Sequence, residues 1–108
     1  MPDLTAAALA LAAAAGAGEP VRLAVEQGPQ HTTFQVVGES PVTVDARYEL
    51  AIETGGGNRT RNVGEVSVRP GGAQAFATVR TTGAPWIATL TVTTAQGRYE
   101  RVLRSPEG

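Results

Sequence analysis

From Val21 onward, apolar residues recur at every second position. The longest run is Val42 to Glu53. Val42, Val44, Ala46, Tyr48, Leu50 and Ile52 alternate there with Thr43, Asp45, Arg47, Glu49, Ala51 and Glu53. A period of two fits a strand in an antiparallel sheet with one wet face. A helix would scatter the same apolar residues around its circumference. Shorter runs of the same kind cover Val21 to Gln27, Thr32 to Val37, Gly64 to Arg69, Ala75 to Thr81, Trp86 to Thr94 and Arg98 to Arg104. In the fifth, Ala75, Ala77 and Val79 carry the apolar positions. In the sixth, Trp86, Ala88, Leu90 and Val92 are expected inward and Thr89, Thr91 and Thr93 outward.

Turn residues separate these runs, as in Gln27-Gly28-Pro29, Gly38-Glu39-Ser40-Pro41, Gly55-Gly56-Gly57-Asn58, Pro70-Gly71-Gly72, Gly83-Ala84-Pro85 and Ala95-Gln96-Gly97. Glycine supplies positive φ and proline pre-sets the bend. Short strands at this spacing predict an all-β fold, an immunoglobulin-like β-sandwich of about seven antiparallel strands. The core is expected to be aliphatic, because only Phe34, Phe76, Tyr48, Tyr99 and Trp86 are aromatic. Trp86 is read as a core residue, with a ligand-stacking role as the alternative.

The first eighteen residues depart from this pattern. Ala6 to Ala15 is an unbroken apolar run, followed by Gly16-Ala17-Gly18. It is too short to cross a bilayer as a helix. Its length and the small residues after it fit a signal-peptide remnant or leader, although no Lys or Arg precedes it. The expected organisation is a leader over 1–18 and one sandwich domain over 19–108, with export to the periplasm and no stable membrane insertion.

Composition narrows the chemistry. Cysteine is absent, so disulfides, thiolate metal sites and cysteine nucleophiles are excluded. His31 is the only histidine and lies beside a turn with no partner motif for a catalytic base. Asp45, Glu49 and Glu53 share a face, but successive members lie about 13 Å apart along a strand, too far for a glycosidase pair. Gly55-Gly56-Gly57 lacks the Gly-Lys-Ser/Thr ending and the helix of a phosphate loop. The chain is therefore expected not to be an enzyme and to need no cofactor or metal.

The net charge of −1 points to no nucleic-acid partner. Its distribution is uneven. Seven acids face two arginines up to Thr54, and seven arginines face three acids after it. Every basic residue is arginine, the side chain suited to forked hydrogen bonding. Arg59 and Arg61, flanking the glycine-rich turn, and Arg98, Arg101 and Arg104, on the last strand, read either as protection of a sheet edge or as a partner-binding patch, for which Arg59, Arg61, Arg98 and Arg101 are the candidate residues.

The order of segments from Tyr48 to Val92 resembles the CsgH proteins, curli-assembly chaperones related to CsgC. The features are Tyr48-Glu49-Leu50-Ala51-Ile52-Glu53 leading into Gly55-Gly56-Gly57, the polar run Asn58 to Asn62, and Gly64-Glu65-Val66-Ser67-Val68. The Gly71-Gly72 turn, Ala77-Thr78-Val79 and Ala88-Thr89-Leu90-Thr91-Val92 follow. Val21-Arg22-Leu23-Ala24-Val25 extends the likeness towards the start. The resemblance implies a periplasmic chaperone that inhibits premature amyloid polymerisation of curlin-type subunits, and hence a curlin-like partner. It adds Asn62, Gly64, Val66 and Val68 to the partner-binding residues, with a departure at Val63, where a small or polar residue is usual. The cysteine pair of the CsgC relatives has no counterpart, so no redox role carries over. A monomer is expected. The alternative reading is a structural or adhesive module of a secreted protein with weak carbohydrate affinity.

Overall fold

The computed structural model describes residues 19–82 and 85–106. The expected leader lies outside the described residues, as does part of the Gly83-Ala84-Pro85 turn. Seven strands form: β1 (Val21–Gln27), β2 (Thr32–Gly38), β3 (Val44–Thr54), β4 (Arg59–Val68), β5 (Gln74–Thr81), β6 (Trp86–Thr94) and β7 (Gly97–Arg104). They make two antiparallel sheets, β1-β2-β5 and β4-β3-β6-β7, packed face to face as a β-sandwich.

Alternation decides which side chains meet between the sheets. Val21, Leu23 and Val25 from β1, and Phe34 and Val36 from β2, face Ala46, Tyr48, Leu50 and Ile52 from β3 and Ala88, Leu90 and Val92 from β6. All are buried, and Leu50 and Leu90 pair directly across β3 and β6. Trp86 is 3% exposed, with its ring edge-on to Phe34 at 4.8 Å between centroids. Its core reading holds, and its indole face is not offered to a ligand.

Three expectations are corrected. Val42 does not face the core. It is 61% exposed and precedes β3, because it lies in the Pro41–Val42 bend and the strand starts only at Val44. The strand expected to begin at Gly64 begins at Arg59. The polar run Arg59 to Asn62 has weak strand character of its own, but it pairs residue for residue with β3, from Glu53↔Arg59 to Leu50↔Asn62. The β3–β4 turn is closed by Thr54 N–H donating to Asn58 C=O at 3.0 Å, with Gly57 at φ +86°.

The third correction concerns β5. Its register jumps between Val36↔Ala77 and Val37↔Ala75, leaving Phe76 as the extra residue of a β-bulge. The bulge reverses the alternation. Ala75 is exposed, and Phe76 and Ala77 both pack against the core. Phe76 lies over Gly38, where an added Cβ would meet its ring at 2.5 Å and Val68 Cγ2 at 2.8 Å.

One side chain ties the two sheets at their N-terminal end. Tyr99 on β7 donates its hydroxyl to Val21 C=O at 2.6 Å and accepts from Val21 N–H at 3.0 Å. Beside it, Arg101 pairs with Glu19.

Candidate protein-interaction face

The outer surface of the four-stranded sheet collects most of the charged positions singled out in the sequence. Register places four-residue rows across it. Arg59–Glu53–Ile87–Arg104 is followed by Arg61–Ala51–Thr89–Val102, Val63–Glu49–Thr91–Glu100 and Glu65–Arg47–Thr93–Arg98. Thr89, Thr91 and Thr93 run down the middle as the sequence suggested. Their hydroxyls and the flanking charges make the middle of the face polar, with Val63 and Val102 exposed on its two edge strands.

The uneven charge of the two chain halves does not survive folding. The acidic strand β3 is laid between β4 and β6, so Arg59 meets Glu53 at 3.4 Å and Arg61 meets Glu49 at 2.8 Å. On this face five arginines (Arg47, Arg59, Arg61, Arg98, Arg104) stand against five acids (Asp45, Glu49, Glu53, Glu65, Glu100). The surface is a mosaic of both signs rather than a basic patch.

Within the mosaic one carboxylate is crowded by cations. Glu49 accepts a hydrogen bond from Arg61 Nε, and this bond most of all holds its carboxyl below the usual glutamate range. The charges of Arg61, Arg47 and Arg98 lower it further. The same contact raises Arg61 above its ordinary value. Arg47 and Arg98 form no ion pair among the described residues. Their guanidinium groups are therefore open to an anionic or hydrogen-bonding partner.

The sequence-derived residues fall into three groups. Arg59, Arg61 and Arg98 share this outer face. Arg101 does not. It has the opposite parity to Arg98, lies opposite Leu90, and is held by Glu19. Asn62, Gly64, Val66 and Val68 have the inward parity of β4. Val68 is fully buried, Val66 packs against the core, and Asn62 Oδ1 accepts from the Tyr48 hydroxyl at 2.8 Å. The Tyr48 ring lies over Gly64, where a Cβ would sit 2.8–3.0 Å from its atoms. The side chains of this segment build the fold of β4 and turn away from the charged face. Arg104, noted on the last strand, also belongs to the face, and Arg47 belongs to it and was missed. Alternation on β3 was the signal, since Arg47 shares the parity of Glu49.

No group of three or more acidic or histidine side chains is arranged to hold a metal ion among the described residues. No family model and no curated protein sequence matches this chain. Solved structures do. The solution structure of R. palustris CsgH superposes with a TM-score of 0.59 at 17% identity, over 76% of this chain and 87% of that one. The E. coli curli protein CsgC superposes with a TM-score of 0.55 at 13% identity, over 81% and 97%.

The chain has the CsgH/CsgC fold.

At this identity the likeness lies in the backbone. The CsgH/CsgC-like arrangement covers 76–81% of this chain.

Proposed function

We propose that this protein is a periplasmic chaperone that keeps curlin-type subunits from polymerising into amyloid before they are exported. The observation that supports this reading is the CsgH/CsgC fold carrying a broad, polar, doubly charged sheet face. Amyloid subunits associate through extended polar strands stacked as cross-β. A folded sheet that offers arginine forks and carboxylates a few ångströms apart can hold such strands briefly and slow their mutual stacking. Binding alone is sufficient, with no catalytic step, cofactor or metal.

Arg47 and Arg98, flanking Thr93, are the residues assigned to partner contact, with Arg61 beside them. Their interactions are ionic and exposed, so salt should weaken them. The test is curlin fibre formation followed with an amyloid dye. The purified protein should lengthen the lag, and the double variant Arg47→Glu/Arg98→Glu should shorten it again without unfolding. High salt should do the same after correction for its effect on curlin alone. Full inhibition by the double variant at high salt would remove the arginines from the mechanism. No delay from the wild-type protein would overturn the chaperone reading. The adhesive alternative with a carbohydrate-stacking aromatic is less favoured, because Trp86, Tyr48 and Phe34 are buried.

Export is part of the same proposal. Recovery by osmotic shock of a protein whose mass lacks the Ala-rich leader would support it. Recovery only from the cytoplasm with the leader intact would count against it.

A further inference from the structure

The free edge of β4 is the longest in the molecule, ten residues against seven for β1 and eight each for β5 and β7. Like β1 and β7, it pairs without a shift in register and contains neither proline nor lysine. Natural edges are usually blunted by such devices. Of the two edges of the opposite sheet, β5 is blunted by the Phe76 bulge, and β1 is capped at Val21 by the Tyr99 hydroxyl.

The backbone groups at this edge can be assigned. Thr54 and Asn58 form a hydrogen-bonded pair, and the alternation of an antiparallel ladder continues through Thr60, Asn62, Gly64, Val66 and Val68, which bond to β3. The N–H and C=O groups of Arg59, Arg61, Val63, Glu65 and Ser67 therefore point to the open edge. Their side chains share the outer face. Val63 is 46% exposed, one of few large apolar side chains on the described surface. It is flanked at two residues' distance by Arg61 and Glu65, of opposite charge.

From this pattern we infer that β4 pairs with β4 of a second copy of this chain, antiparallel about a two-fold axis at Val63. In this register Val63 meets Val63, Arg61 meets Glu65 of the second copy, Glu65 meets its Arg61, and Arg59 meets its Ser67. Each of these is a hydrogen-bonded pair, because each residue presents its backbone groups to the edge. Asn62 meets Gly64 on the inner side, so no bulky group blocks the approach. The apolar pair at the centre and the two ion pairs beside it favour this register on the outer face. Glu65 makes no ion pair among the described residues and is free to take this partner. A dimer so formed has one continuous eight-stranded sheet and replaces the monomer expected from the sequence. It does not depend on the chaperone reading.

The other edge of the same sheet carries a shorter version, Glu100, Val102 and Arg104 on β7. Pairing about Val102 reaches only from Glu100 to Arg104 before the strand ends. Antiparallel pairing of β4 with β7 of a second copy, valine on valine, sets Arg61 against Arg104 and Glu65 against Glu100. The order of charges therefore opposes that mixed edge and favours β4 on β4.

Sedimentation velocity from micromolar to millimolar protein tests the dimer. The wild type should move from monomer towards twice its mass. Arg61→Glu alone, or Glu65→Arg alone, sets like charges opposite one another and should weaken association by at least about tenfold, or roughly 1.4 kcal/mol. Mixing the two variants restores both opposite-charge pairs and should restore the dimer. Val63→Pro removes an N–H that faces the open edge and not β3, so it should abolish the dimer while circular dichroism stays unchanged. Val102→Pro should leave the dimer intact. A wild type that stays monomeric at millimolar concentration overturns the inference. So does a mixture no heavier than either variant, or a dimer that survives Val63→Pro and fails with Val102→Pro.

Discussion

The edge strands β4 and β5 lie in opposite sheets, and each is built around an aromatic ring resting on a glycine. The roles are exchanged between them. At β4 the glycine, Gly64, is on the edge and the ring, Tyr48, comes from the interior strand β3. At β5 the ring, Phe76, is on the edge and the glycine, Gly38, is on the interior strand β2. A ring supplied from the interior leaves the edge straight, since the edge has only to omit a side chain. A ring supplied by the edge must be turned inward, and β5 does this with an extra residue that breaks the register. The placement of one aromatic thus decides whether an edge is regular and open to pairing or bent and closed to it.

The largest effect is expected where the straight edge is anchored. Leu50→Ala, in the middle of β3, should cost about 2–5 kcal/mol, read as a lower denaturant midpoint with an unchanged slope. An unchanged midpoint would mean that β3 does not anchor the edge.

The glycines come next. An added Cβ overpacks at both sites, and Gly64→Ala and Gly38→Ala should each cost about 1–3 kcal/mol by the same measurement. The two should differ in rescue. Phe76 is half-buried at an edge, so Phe76→Leu should recover much of the loss in Gly38→Ala. Tyr48 is buried and bonded to Asn62, so Tyr48→Leu should deepen the loss in Gly64→Ala. Equal rescue at both sites would erase the distinction between the edges.

Much of this arrangement was legible in the sequence. Alternation gave the bounds of β1 and β6 as they stand and located the other strands to within a few residues. It failed where the cause lies in another strand. The polar run at Arg59 becomes strand because β3 offers it a ladder. The bulge at Phe76 follows from the space above Gly38. Val42 has the right parity but lies in the bend that precedes β3. The candidate site was legible as a set of arginines and not as a surface. Charge counted along the chain shows an acidic half and a basic half, whereas the sheet order interleaves them. Parity alone separates Arg98 from Arg101. Self-complementarity at Val63 also needs two facts beyond the residues, that β4 is an edge and which backbone groups face outward.

Smaller effects come from titration. Burial pushes the Tyr99 phenol above its ordinary value, against the opposing pull of its bond to Val21. The folded state thus holds this proton more tightly than the unfolded chain. The associated stability is present below the unfolded tyrosine pKa and is lost as pH rises through the folded one. The wild type should lose stability in alkaline solution more steeply than Tyr99→Phe, as thermal melts across that range would show. Tyr99→Phe should itself cost about 1–3 kcal/mol at neutral pH for the two hydrogen bonds lost at Val21.

The smallest effect belongs to the straight edge. Glu49 is depressed by its bond from Arg61, so its contribution is present above the unfolded glutamate pKa and fades as pH falls through the folded value. Glu49→Gln should reduce the acid sensitivity of the protein slightly at low salt and leave it unchanged at high salt. A large change at either salt would mean that the pair is structural.

The Tyr99 hydroxyl and the Glu19–Arg101 pair have a mechanical consequence. A tension applied through a segment joined upstream of Glu19 meets three anchors in turn. The ion pair to β7 comes first, then the bond from Glu39 N–H to Pro20 C=O, and then a phenol that grips both backbone groups of Val21 from the opposite sheet. The first and last of these lie across the sandwich, so the load is shared by both layers before β1 can open. Peeling from this end therefore begins with a coupled rupture between the sheets and not with the unzipping of a single strand.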